Sequence, residues 1–307
     1  MKKQISKRPI NQGNKPQKAV AVHRDYFDNM KGNIGCFCSY CERPLPNSEL
    51  QVEHIRSRST NREYLLCWNN LLLSCFTCNS HKEKSEKKEE NINDLNVGDY
   101  AFPHIYDTYH LIDYPSPTYM PVCSKDAEAN YRPKVEKLLQ LLHLSNDTNL
   151  TEAELLQENE IPSYRIKVGE EAEELKRDLG INYTEEQIEC TKKKIKRCIE
   201  SKGFWSIWMK YFEDIDEIKL MLLDLIPGTE KRFFQDEQTH RDCEREHIYN
   251  DIIGTLEHRL EYKIEKGTIE NEQEWLQNIN ESINTRIPDL TKEENEKIQS
   301  YITDLSD

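Results

Sequence analysis

Four cysteines in two Cys-x-x-Cys pairs, Cys38/Cys41 and Cys75/Cys78, flank a Glu-His pair at 53 and 54, and these are the residues whose types and spacing can do chemistry. Two such pairs offer Zn²⁺ four thiolates in the tetrahedral arrangement it prefers, and a site closed by four sulfurs has no open position. A metal held there is structural, and binding it supplies on the order of 10 kcal/mol to a short segment with little core of its own. Cys36 sits two residues before Cys38 and competes as a ligand, whereas the cysteines at 67, 123, 190, 198 and 243 are scattered and read as small buried apolar residues.

A plain zinc ribbon has about 15 to 20 residues between its pairs, but 33 residues separate Cys41 from Cys75. The insert carries Glu53-His54, and the pattern of Leu50, Val52 and Ile55 is strand-like, which places His54 near a strand end or turn. Histidine has an unperturbed pKa suited to a base near neutral pH.

The order Cys-x-x-Cys, Glu-His-Ile, Trp-Asn-Asn-Leu, Cys-x-x-Cys-Asn-x-x-Lys over residues 38 to 82 resembles the HNH endonucleases. That resemblance implies a two-strand hairpin followed by a helix around one divalent metal. It also implies His54 as general base, Glu53 and Asn79 as ligands of the catalytic cation, Asn70 as the residue ordering the hairpin loop, and Lys82 as a phosphate contact. Glu53 departs from the commoner Asp of the family. A carboxylate and an amide oxygen are hard ligands that suit Mg²⁺ or Mn²⁺. His81 is a candidate third ligand, and Arg56 and Arg58, with Arg43 and Arg62, are candidate phosphate contacts. Phosphodiester hydrolysis needs these parts: a base for water, a cation for the developing charge, and donors for the backbone.

The rest of the chain must position this stretch. Glycine is sparse, at 10 of 307 residues, and charged residues reach 32%, which favours a mostly helical α+β fold. That fold is a small zinc-stapled ββα-metal domain followed by a helical C-terminal domain. Charge is segregated: residues 1–88 hold 16 Lys/Arg against 8 Asp/Glu, and the remainder 26 against 48. A basic first part suits DNA as partner, and an acidic remainder suits solubility or protein docking. The expected layout is a basic, flexible arm at 1–30, the nuclease domain at 31–95, a Pro/Tyr-rich connector at 96–133, and an acidic helical partner-docking domain at 134–307. Val135, Leu138, Leu139 and Leu142 mark one helix face. Thr184 with Gln187, and Thr291 with Glu294, form capping boxes. The basic run Lys192–Arg197 reads as a solvated helix face.

No apolar run reaches the roughly 18 residues needed to span a bilayer, and the start MKKQISKRP lacks a signal peptide's apolar stretch, so a cytoplasmic chain without membrane contact is expected. The overall layout also resembles the HNH subunits of Septu-type anti-phage defence systems, which implies an ATPase partner subunit; the chain has no Gly-rich phosphate loop itself. Two other readings stand beside this one: a zinc-ribbon module that binds nucleic acid or protein without cutting, and a free-standing HNH restriction nuclease.

Overall fold

The structure is a computed structural model that describes residues 7–16, 20–88, 91–144, 160–267, 269 and 272–306. Strand β1 (Leu50–His54) pairs antiparallel with β2 (Leu71–Cys75), Leu50 opposite Cys75 and His54 opposite Leu71, and the chain runs directly from β2 into α2 (Phe76–Lys88). All of β2 is buried, and its period of two serves two apolar clusters. Leu71 and Leu73 face a smaller one with Ile10, Met30 and Trp68, to which α1 (Phe27–Ile34) contributes. Leu72 faces the larger one, which holds the four cysteines of the two pairs together with side chains from the C-terminal helices. The core therefore runs without a break across the expected boundaries at 95 and 133.

Five prolines between 103 and 133 exclude long helices, and that segment folds as a short α3 (Thr108–Leu111) and a two-residue antiparallel pair, β3 (Ile112–Asp113) with β4 (Val122–Cys123). Its rings supply the packing: Tyr100, Phe102, Tyr106, Tyr109, Tyr114 and Tyr119 are all buried. Then come α4 (Arg132–Leu141), α5 (Glu160–Leu179), α6 (Glu185–Lys202), α7 (Trp205–Phe212), α8 (Asp216–Leu225), α9 (Glu237–Lys266), α10 (Glu272–Arg286) and α11 (Lys292–Ser306). The Thr184/Gln187 box starts α6, and Thr291 and Glu294 exchange hydrogen bonds at the head of α11. Lys193, Lys194, Lys196 and Arg197 on α6 are exposed.

Residues 7–10 of the expected N-terminal arm are held against the fold. Lys7 to Ile10 are buried, and Ile10 bridges to Thr229. Arg8 donates to the carbonyls of Ile34 at 3.1 Å and Pro227 at 3.3 Å, just where α1 and the α8 turn leave helix carbonyls without partners. Gly228 has a positive φ of 68°, and a Cβ there would lie 2.3 Å from the Asn33 carbonyl and 2.7 Å from that of Asn11, so this turn requires glycine.

A buried ionic network ties the hairpin loop to the long helix. Arg56, 0% exposed, meets Asp94 at 2.7 Å and Asp251 of α9 at 3.4 Å. Arg286 of α10 also meets Asp251, at 2.7 Å, while Arg259 meets Glu63 at 3.3 Å and Asp94 at 3.5 Å. Tyr64 and Trp275 donate to Asp94 as well. Removing one partner from such a set leaves charge buried without compensation. Arg56→Met is expected to destabilise the chain by about 3–5 kcal/mol, whereas Arg58→Ala, at an exposed position, should change stability by about 0.5 kcal/mol or less; urea unfolding of the two variants measures both.

Candidate active site and metal centre

The two cysteine pairs come together because each forms a tight turn: the Cys41 N–H donates to Cys38 Sγ at 3.5 Å and the Cys78 N–H to Cys75 Sγ at 3.4 Å. All four sulfurs are buried and lie within 4.8 Å of one another, with Cys41 and Cys75 3.9 Å apart. A tetrahedral site with Zn–S bonds of about 2.3 Å places its sulfurs about 3.8 Å apart, so the donor set fits zinc. Cys36 stands outside the group and faces Asn47 Oδ1. Four thiolates around a divalent ion leave two excess negative charges, and two cations answer them. The Lys7 ammonium is buried beside Cys38, Cys41 and Cys78 and over the Tyr40 ring at 5.3 Å, and Cys41 and Cys75 drive the Arg43 guanidinium further toward its charged form, outweighing its own burial. Cys78→Ser is expected to remove one equivalent of zinc per chain and to lower the melting temperature, as read by metal analysis and calorimetry.

His54 ends β1 with 8% of its surface exposed. Its Nε2 lies 3.1 Å from the Leu65 carbonyl oxygen. A carbonyl only accepts, so Nε2 carries the proton and Nδ1 keeps the free lone pair. Burial lowers the pKa of His54, outweighing the Leu65 hydrogen bond and the Glu53 charge that raise it. The loop supplying Leu65 is closed by Asn70, which accepts from the Arg56 N–H at 2.7 Å and donates to the Arg56 and Tyr64 carbonyls, each at 3.2 Å.

Strand alternation turns Glu53 to the face opposite His54. Its carboxylate is buried, with Tyr40 O–H donating to Oε2 at 2.6 Å and the Lys82 ammonium 3.0 Å from Oε1. Lys82 also donates to the His54 carbonyl at 2.8 Å and pairs with Glu86 at 3.1 Å. Asn79 donates to Gln51 at 2.8 Å, and His81 turns away toward the Leu142 carbonyl and stacks on His143. The structure thus holds Glu53 and Asn79 on different protein partners. Neither Glu53 nor His54 belongs to a converging group of three or more His, Cys, Asp or Glu among the described residues. The Glu53 carboxylate and the Asn79 amide are engaged by Lys82 and Gln51, which a hard cation would have to displace.

Two of the expected phosphate contacts are also placed elsewhere. Arg56 is spent in the network under the loop, and Lys82, 2% exposed, is spent on Glu53, Glu86 and the His54 carbonyl. Both are locked inside because each has buried carboxylates to neutralise. Arg58 remains exposed and close enough to oppose protonation of His54.

One neighbour carries no spacing signal in the sequence. His23, in the 3₁₀ turn before α1, sets its ring edge-on to His54 with centroids 4.6 Å apart. Burial lowers its pKa to about 4, with His54, Arg58 and Arg24 adding to the effect. His54 is therefore flanked by the imidazole of His23 and by Arg58.

No curated protein and no solved structure matches the chain. Residues 38–85, from the first cysteine pair to the third turn of α2, match the family model described as HNH endonuclease. By that match the hairpin, the cysteine centre and the helix behind His54 are similar to an HNH endonuclease domain, which supports a nuclease in general, with nucleic acid as its substrate class and metal binding at the cysteines compatible with it.

Proposed function

We propose that the chain is a DNA endonuclease that hydrolyses phosphodiester bonds with His54 as general base. The observation that carries this reading is the Leu65 carbonyl at His54 Nε2, which reserves Nδ1 for a water proton. Around it, Arg58 offers a guanidinium that can hold the phosphate of the scissile strand, Asn70 holds the loop that carries the Leu65 carbonyl, and Lys82 fixes the end of β1 through the His54 carbonyl. The cysteine centre, with zinc, holds the frame and takes no part in the reaction.

A divalent cation such as Mg²⁺ or Mn²⁺ supplies charge stabilisation in hydrolysis of this class. Glu53 and Asn79 are its proposed ligands, and to serve they must exchange Lys82 and Gln51 for the ion. For Glu53 that is the replacement of one cation by another at the same carboxylate. The wider role, as the effector of a bacterial anti-phage complex with an ATPase subunit, follows from the resemblance in layout.

The test is plasmid cleavage by the purified chain with Mg²⁺ or Mn²⁺, and its arrest by EDTA. His54→Ala should reduce the rate by about 10²- to 10⁴-fold while leaving the zinc content unchanged; a variant that cuts as fast as wild type overturns the reading. The pH dependence has a defined sign. A base with a lowered pKa stays unprotonated further into acid, so the rate should hold at neutral pH and fall only below the ordinary histidine value of about 6.5. An acid limb centred above that value would show that another group is the base.

A further inference from the structure

Away from the nuclease domain, three side chains from two separate elements meet at one point. Asp107 caps α3, its Oδ1 accepting from the Tyr109 N–H at 3.1 Å. Its other oxygen, Oδ2, contacts both His110 Nδ1 and, at 3.1 Å, Nε2 of His240 on α9. The three ligand atoms lie within 4.8 Å of one another. Asp107 is 1% exposed, and the two rings are seated by aromatic neighbours: Tyr109 stands edge-on to His110, and Phe233 edge-on to His240, each at 5.1 Å.

All three line a cavity of about 500 Å³ that also presents Asp126, Glu128 and Asp242. Arg241 and Arg245 line it too, but they are paired with Glu237 at 2.6 Å and Glu294 at 2.5 Å. The wall therefore carries a surplus of negative charge, which concentrates cations.

We propose that Asp107, His110 and His240 bind a first-row divalent metal ion, Zn²⁺ fitting best, with its remaining position open to this cavity. Two imidazole nitrogens and one carboxylate oxygen form the three-ligand set of an open zinc site, and imidazole discriminates against Mg²⁺ and Ca²⁺. The Tyr109 N–H on Oδ1 is the outer hydrogen bond that orients such a ligand. A comparable group, Glu230 with Cys243 and His247, is less suited, because Arg232 at 3.0 Å and Asn11 at 2.9 Å already occupy the Glu230 carboxylate.

The experiment titrates Zn²⁺ into full-length protein already holding one zinc per chain, by calorimetry, with the imidazole nitrogens followed by NMR. A further equivalent should bind and shift the His110 and His240 resonances. His110→Ala, at a half-exposed side chain that the fold tolerates losing, should weaken that binding at least tenfold, and His54→Ala should leave it unchanged. Absence of a further equivalent in wild type overturns the proposal. So does uptake that survives His110→Ala and His240→Ala, or uptake that disappears in Cys243→Ser instead.

Discussion

The contact between Arg56 and Asp251 is the constraint on which the rest depends. Arg56 leaves the hairpin two residues after His54, and its guanidinium has no water to fall back on, so it needs carboxylates supplied by protein. Those come from Asp94, after α2, and from Asp251, in the middle of α9. The same carboxylates hold Arg259 and Arg286, and through Tyr64 and Asn70 the network reaches the loop whose carbonyl orients His54. Charges in this set are balanced pair by pair, and exchanging any one for a neutral group strands its neighbours. The helical half is in this sense the back wall of the nuclease domain. Its Asp251, together with Asp94 from the segment after α2, is spent inward, on the basic segment that the first eighty-eight residues carry.

The cysteine centre works on a different principle. Its sulfurs gather two turns and the end of β2 into one point, and α2 starts from that point. Lys82, one turn further along α2, then reaches back to Glu53 and to the His54 carbonyl. Sulfur cluster, helix and ion pair together fix the end of β1 from both sides. The position of His54 is set by backbone contacts, and its tautomer by one carbonyl.

Much of this was legible from local pattern. Cys-x-x-Cys spacing identified the four sulfurs, the alternation of Leu50, Val52 and Ile55 put His54 at a strand end, and the boxes at Thr184 and Thr291 marked helix starts. What escaped is what depends on partners distant in sequence. Arg56 and Lys82 read as phosphate contacts because a basic residue near an active site is a reasonable phosphate ligand, and nothing nearby announces that carboxylates will enclose it. The N-terminal segment read as a loose basic arm for a similar reason: its proline and glycine deny it regular structure, and the carbonyls that capture Arg8 belong to Ile34 and Pro227. His23 could not be paired with His54 from spacing, since tertiary packing alone brings the rings together.

The separation of Arg56 from Asp251 also sets an order of events during synthesis. They stand 195 residues apart, which at roughly 5–20 residues per second is about 10–40 seconds of translation. The cysteines and the hairpin leave the ribosome well before Asp251, so the Arg56 guanidinium lacks one of its carboxylates until α9 follows. Thr229, which receives the N-terminal segment, also comes late. A nascent chain therefore carries its cysteine frame well before the carboxylate of α9 reaches the hairpin loop.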